Sequence, residues 1–139
     1  MQKQLLTSRL ERRVQFYECD PLQIVWHGNY LKYFEEGREA FCRKHGLSYL
    51  DAKSNGFATP IVKSICEHKL PLQYGDVFTI ETTFQPCDAA KMHFTYKLIL
   101  ENKVICIGET VQVFLGENRE LILTNPPFFL DWKKNMEFE

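Results

Sequence analysis

No stretch of this chain is apolar for long enough to cross a bilayer as a helix, and neither sign of charge predominates: 17 Lys and Arg stand against 18 Asp and Glu. So near a balance creates no field that would draw the chain to nucleic acid or to an anionic membrane, and neither binding partner is expected, nor is membrane insertion. There is no CxxC pair, and the cysteines at 19, 42, 66, 87 and 106 are odd in number and fall mostly in apolar patterns. Free, buried thiols are expected rather than a disulfide framework. Closely and regularly spaced His, Cys or acidic ligands are also lacking, so no metal is expected. Met1 to Arg13 have no apolar centre of the signal-peptide kind, which points to a cytoplasmic protein. Repeats, low-complexity tracts and linkers are absent. The 139 residues suit one domain, with a core over about residues 9–115 and a tail over 116–139.

What is present is punctuated apolar periodicity. Arg9 to Tyr17 alternates, with Leu10, Val14 and Phe16 set against Glu11, Arg13 and Gln15, as a strand with one buried face does. Pro21 cannot donate to a ladder and drives Asp20 toward extended backbone, so Asp20 to His27 reads as a loop. From Gly28 or Asn29 to about Lys44 a helix is predicted, with Tyr30, Phe34, Gly37 and Phe41 recurring on one stripe. Gly37 weakens that helix in isolation and implies a close backbone approach there; Gly46 supplies the stop. A helical turn in Ser48 to Lys53 and a turn at Asn55-Gly56 follow.

Four strands come next. Thr59 to Leu70 has two mixed faces and is expected to be partly covered on both sides. Val77 to Phe84 and Lys91 to Glu101 alternate cleanly, and Glu101-Asn102-Lys103 connects tightly to Val104 to Leu115. The residues after Gly116 are apolar but irregular and are expected to lie across a surface. One strand, a long helix and four strands with short links make an α+β arrangement, one helix on a largely antiparallel five-stranded sheet. The long edges of such a sheet call for cover by another copy of the chain, so at least a homodimer is expected. Asp20 stands just ahead of the helix start, where unsatisfied N–H groups attract developing negative charge, a place suited to carbonyl chemistry.

Asp20-Pro21, then Ile24-Val25-Trp26-His27-Gly28-Asn29-Tyr30 and Tyr33-Phe34-Glu35, resemble the signature of the hot-dog-fold acyl-CoA thioesterases of the 4-hydroxybenzoyl-CoA thioesterase type. Ala58-Thr59-Pro60-Ile61-Val62 and Gly75-Asp76-Val77-Phe78-Thr79-Ile80-Glu81-Thr82 are similar to later segments of that family, so the likeness runs from about Val14 to Phe114. It implies a hot-dog fold, in which the sheet wraps a central helix, with dimers joined sheet edge to sheet edge, frequent homotetramers (dimers of dimers) and active sites at the dimer interface.

The resemblance also assigns roles. Asp20 matches the catalytic carboxylate, which either attacks the thioester carbonyl or activates a water. His27 matches the helix-start position whose backbone N–H faces the thioester oxygen. Glu35 and Thr59 align with positions near the acyl group, and Lys91 with a basic position where the phosphates of coenzyme A could rest; His93 is a weaker candidate there. Trp26 and Tyr30, packing residues by composition, are added as pocket-lining candidates. The function so implied is hydrolysis of an acyl-CoA to a free acid and coenzyme A, with no metal or organic cofactor, coenzyme A being part of the substrate. Two alternatives stay open: a thioesterase for acyl groups on a carrier protein, and a non-catalytic hot-dog module that binds acyl-CoA.

Overall fold

The computed structural model describes residues 5–136. Five strands form one antiparallel sheet: β1 (Thr7–Arg13), β2 (Ile61–His68), β3 (Val77–Gln85), β4 (Lys91–Leu100) and β5 (Lys103–Leu115), in the order β1-β3-β4-β5-β2. A sixth, β6 (Leu121–Ile122), pairs with the end of β5. Three helices complete the chain: α1 (Tyr30–His45), α2 (Tyr49–Ser54) and α3 (Pro127–Asn135). Because β1 and β2 are the two outer strands, the connection between them must cross the whole sheet, and α1 lies in that connection. The result is the α+β hot-dog arrangement that the resemblance implied. Among the described residues no helix is long and apolar enough to cross a membrane.

The stripe read from the sequence faces the sheet: Tyr30, Phe34, Gly37 and Phe41 are all buried, and Tyr33 is buried beside them. A Cβ at Gly37 would come within 2.5 Å of both Ile80 Cγ2 and Thr82 Oγ1, so α1 rests directly on β3, and only glycine allows the approach. Phe34 occupies the equivalent gap over Gly108 of β5 and stacks on Tyr96 of β4, ring centroids 4.6 Å apart. Gly46 ends the helix in the left-handed conformation, its N–H donating to the Cys42 carbonyl.

Three expectations are corrected. The first strand stops at Arg13: Val14 is buried, but the chain then turns into a short 3-10 helix, Phe16–Glu18, whose Phe16 and Tyr17 are exposed. β2 is an edge strand left largely uncovered: Ile61, Val62 and Ile65 stand exposed on it and only Cys66 packs on the core, so its mixed faces reflect an open edge. The segment after Gly116 is not irregular. Pro127 opens α3, as proline in the first turn can, and Phe129 and Trp132 enter the core against Phe84 and Phe114.

Candidate active site

The acid-bearing segment is a tight hairpin. The Trp26 N–H donates to the Glu18 carbonyl at 2.9 Å, Cys19 and Val25 form an antiparallel bridge, and the Asp20 N–H donates to the Ile24 carbonyl at 3.0 Å. Asp20 therefore sits at the tip, where Oδ1 accepts the Leu22 N–H at 2.8 Å and the Gln23 N–H closes on the Asp20 carbonyl. The side chain thus serves the turn with one oxygen. Oδ2 has no protein donor among the described residues.

Two buried groups fix this hairpin to the rest of the fold. Glu18, 5% exposed, accepts the Gln15 N–H at 2.7 Å and pairs with Arg12 Nη2 at 2.7 Å, while Arg12 Nε donates to Glu36 of α1 at 3.0 Å. Burial alone would lower the Arg12 pKa; the hydrogen bonds to Glu36 and Glu18 outweigh it and hold the guanidinium charged, above its ordinary range. Asn29, also buried, donates from Nδ2 to the Glu18 carbonyl at 2.8 Å and so ties the hairpin to the start of α1. Neither Glu18 nor Arg12 was among the predicted site residues. They are six apart, and nothing along the chain announces that the pair will be buried.

The helix start itself is a 3-10 turn, His27–Asn29, running into α1. The Asn29 N–H is spent on Trp26, and that of Tyr30 on His27. Among the described residues the N–H groups of His27 and Gly28 have no protein acceptor, and both residues reach solvent. Trp26 lies over this turn: a Cβ at Gly28 would meet its ring carbons at 2.2–2.7 Å. Any side chain at Gly28 would therefore displace the exposed Trp26 ring from this seat. Phe16, Tyr17, Leu22 and Trp26 are all exposed around the hairpin, an apolar surface that the single chain leaves uncovered.

The remaining candidates lie elsewhere. Tyr30 is buried, its ring edge-on to His68 at 4.6 Å and its phenol pKa pushed up to about 12 by burial and then by the neighbouring Cys106. Glu35 is an exposed residue of α1 with Arg38 at 4.0 Å. Glu35 and Thr59 do share a cleft of about 660 Å³, walled by Leu47, Met92, Phe114 and Phe128. Buried Gln112 holds Thr59 there, donating to its carbonyl at 2.8 Å. Lys91 is half-buried at the start of β4, and His93 approaches Glu109 at 3.5 Å. Asp20 and His27 do not line that cleft. The acid and the unclaimed amides thus belong to one segment, the hairpin and the helix start that follows it, while Glu35 and Thr59 share a separate cleft.

The sequence profile of the thioesterase-like superfamily matches residues 14–133. A provisionally named esterase of Aquifex aeolicus is 37% identical over 98 residues, covering 70% of this chain and 75% of that protein. A provisionally named acyl-CoA thioesterase of Bacillus subtilis is 32% identical over 91 residues, 66% of each. The crystal structure of a DHNA-CoA thioesterase from Staphylococcus aureus superposes with a TM-score of 0.84 over 94% of this chain and 89% of the other, at 22% identity, a likeness of fold.

Proposed function

The chain belongs to the thioesterase-like superfamily, and from that membership we propose that it is a cytoplasmic thioester hydrolase that cleaves an acyl-CoA to a free acid and coenzyme A, with Asp20 as the reacting carboxylate. What supports this reading is a carboxylate with one oxygen tethered and the other unclaimed, followed in the same segment by two unclaimed N–H groups at the helix start. A thioester carbonyl presented to His27 and Gly28 would have its oxygen polarised by those amides as negative charge develops. The free oxygen of Asp20 then either attacks the carbonyl carbon, giving a mixed anhydride that water hydrolyses to the free acid and the restored carboxylate, or takes a proton from a water that attacks instead. Coenzyme A leaves as a thiolate and is protonated by solvent; no metal or organic cofactor takes part. Because the His27 role is filled by backbone, the imidazole is not required for it.

The working unit in this reading is a dimer, or a dimer of dimers. Support comes from the open β2 edge with its exposed Ile61, Val62 and Ile65, and from the apolar surface around the Asp20 hairpin. Thr59 lies two residues before β2, and Val25 of the Asp20 hairpin bonds the Leu72 carbonyl shortly beyond its other end, so antiparallel pairing of two β2 edges would bring one protomer's Thr59 cleft toward its partner's Asp20 hairpin. Lys91 is the candidate for the coenzyme A phosphates. The test is thiol release from short, long, branched and aromatic acyl-CoAs beside the same acyl groups on carrier protein. Turnover of at least one acyl-CoA, exceeding that of its carrier-protein counterpart, is expected; a wide preference for the carrier-bound forms, or binding without release, would replace this reading.

A further inference from the structure

The sheet carries a second cluster of chemical groups. Cys66 and His68 are two residues apart on β2 and therefore share a face, and Cys106 of β5 is the cross-strand partner of His68. Cys66 Sγ lies 3.5 Å from Cys106 Sγ and 3.5 Å from His68 Nε2, and one donor atom from each of the three residues falls within 4.8 Å of the others. A tetrahedral zinc ion, with bonds of about 2.3 Å to sulfur and about 2.0–2.1 Å to nitrogen, sets neighbouring ligand atoms roughly 3.5–3.8 Å apart. Both pairs that include Cys66 are already at that spacing, and the third pair lies within 4.8 Å. Their burial is graded: Cys106 is buried, Cys66 half-buried and His68 exposed, so an ion could enter from the His68 side.

We propose that Cys66, His68 and Cys106 bind one divalent cation of the zinc class at the end of β2, with water in the fourth position. Binding breaks the two S–H bonds, forms two metal–thiolate bonds and one metal–imidazole bond through His68 Nε2, and releases both thiol protons to solvent. The ion would add a side-chain tie to the backbone pairing that already joins the end of β2 to β5. It would also hold His68 against Tyr30, the first residue of α1, so the start of the helix is braced from the sheet. The site goes beyond the proposed hydrolysis and does not depend on it, since binding is read on resting protein.

Reduced, chelator-treated protein is titrated with Co²⁺ and then with Zn²⁺, following thiolate-to-cobalt charge transfer, proton release and the alkylation of Cys66. The expected result is one Co²⁺ per chain with a charge-transfer band, displacement by Zn²⁺, about two protons released, and protection of Cys66. Cys66→Ser and His68→Gln, conservative changes at sites that are not fully buried, should each weaken binding by more than the ~10–100-fold produced by loss of an outer-shell partner. Cys87→Ser should bind as wild type. The proposal is overturned if no charge-transfer band forms at stoichiometric Co²⁺. It is equally overturned if the band survives Cys66→Ser, or if Cys66 and Cys106 of the purified protein form a disulfide that excludes the ion.

Discussion

Arg12 and Glu18 meet at 2.7 Å in the segment that leads into the Asp20 hairpin, one from β1 and the other from the 3-10 turn, with Glu18 almost fully buried. The pair fixes the direction in which the chain leaves the sheet. Removing the cation alone leaves an uncompensated buried carboxylate. Arg12→Met should therefore cost about 3 kcal/mol in urea unfolding, and Arg12→Met with Glu18→Leu should recover much of it. A loss of under about 1 kcal/mol would assign the pair the weight of a surface ion pair.

Gly28 has no side chain to collide with the Trp26 indole, whose ring carbons lie 2.2–2.7 Å from where a Cβ would stand. Gly28→Ala should drive the indole from its seat and shift the helix-start amides, with turnover falling about tenfold to a hundredfold and little change in melting temperature. Adding Trp26→Ala should return part of the lost rate by relieving the collision. Unchanged turnover in Gly28→Ala would separate these amides from the chemistry.

Val62 is 60% exposed on the open edge strand β2. A lysine there places charge where two edges would pair, so Val62→Lys is expected to sediment as a monomer, keep its circular dichroism and lose at least about a hundredfold in turnover. A monomer with full turnover would show that each chain holds a complete site.

His45, at the end of α1, has its pKa lowered by burial and then by the charge of Lys44. The folded state thus gives up its proton at a lower pH than the unfolded chain, whose histidines titrate near ~6.5. Between the lowered folded value and ~6.5 the unfolded state binds more protons, so stability should fall as pH drops through that window. Above it the His45 contribution is level. Denaturant midpoints from pH 5 to 8 should show the slope in wild type and a shallower one in His45→Gln.

Much of the scaffold was legible. Tyr30, Phe34, Gly37 and Phe41 announced the buried stripe of α1, and the Gly37 gap is filled by Ile80 and Thr82. Glu101-Asn102, both at positive φ, make the hairpin that their short link implied. The failures share a cause, which is that local pattern does not reveal long-range partners. Alternation through Tyr17 suggested a longer strand, but β3, which pairs with β1, ends that pairing at Val77 opposite Arg13. The Phe129 and Trp132 spacing, helical in retrospect, was hidden by the prolines before it. The Asp20 motif drew attention to this hairpin, whereas Glu18 and Arg12, which secure it, became visible only in three dimensions. Cys66 and His68 share a strand face by spacing, but Cys106 joins them only through the register of β2 on β5.

The most direct test of the central claim is the rate of thiol release by Asp20→Asn on the best acyl-CoA substrate, beside thermal unfolding of the same protein. Asparagine keeps an oxygen for the Leu22 N–H, so the hairpin and the melting temperature should be preserved. With the carboxylate gone, kcat should fall by about a thousandfold while KM changes little. A variant that folds as wild type and turns over within a few-fold of it would contradict the assignment of Asp20 as the reacting group.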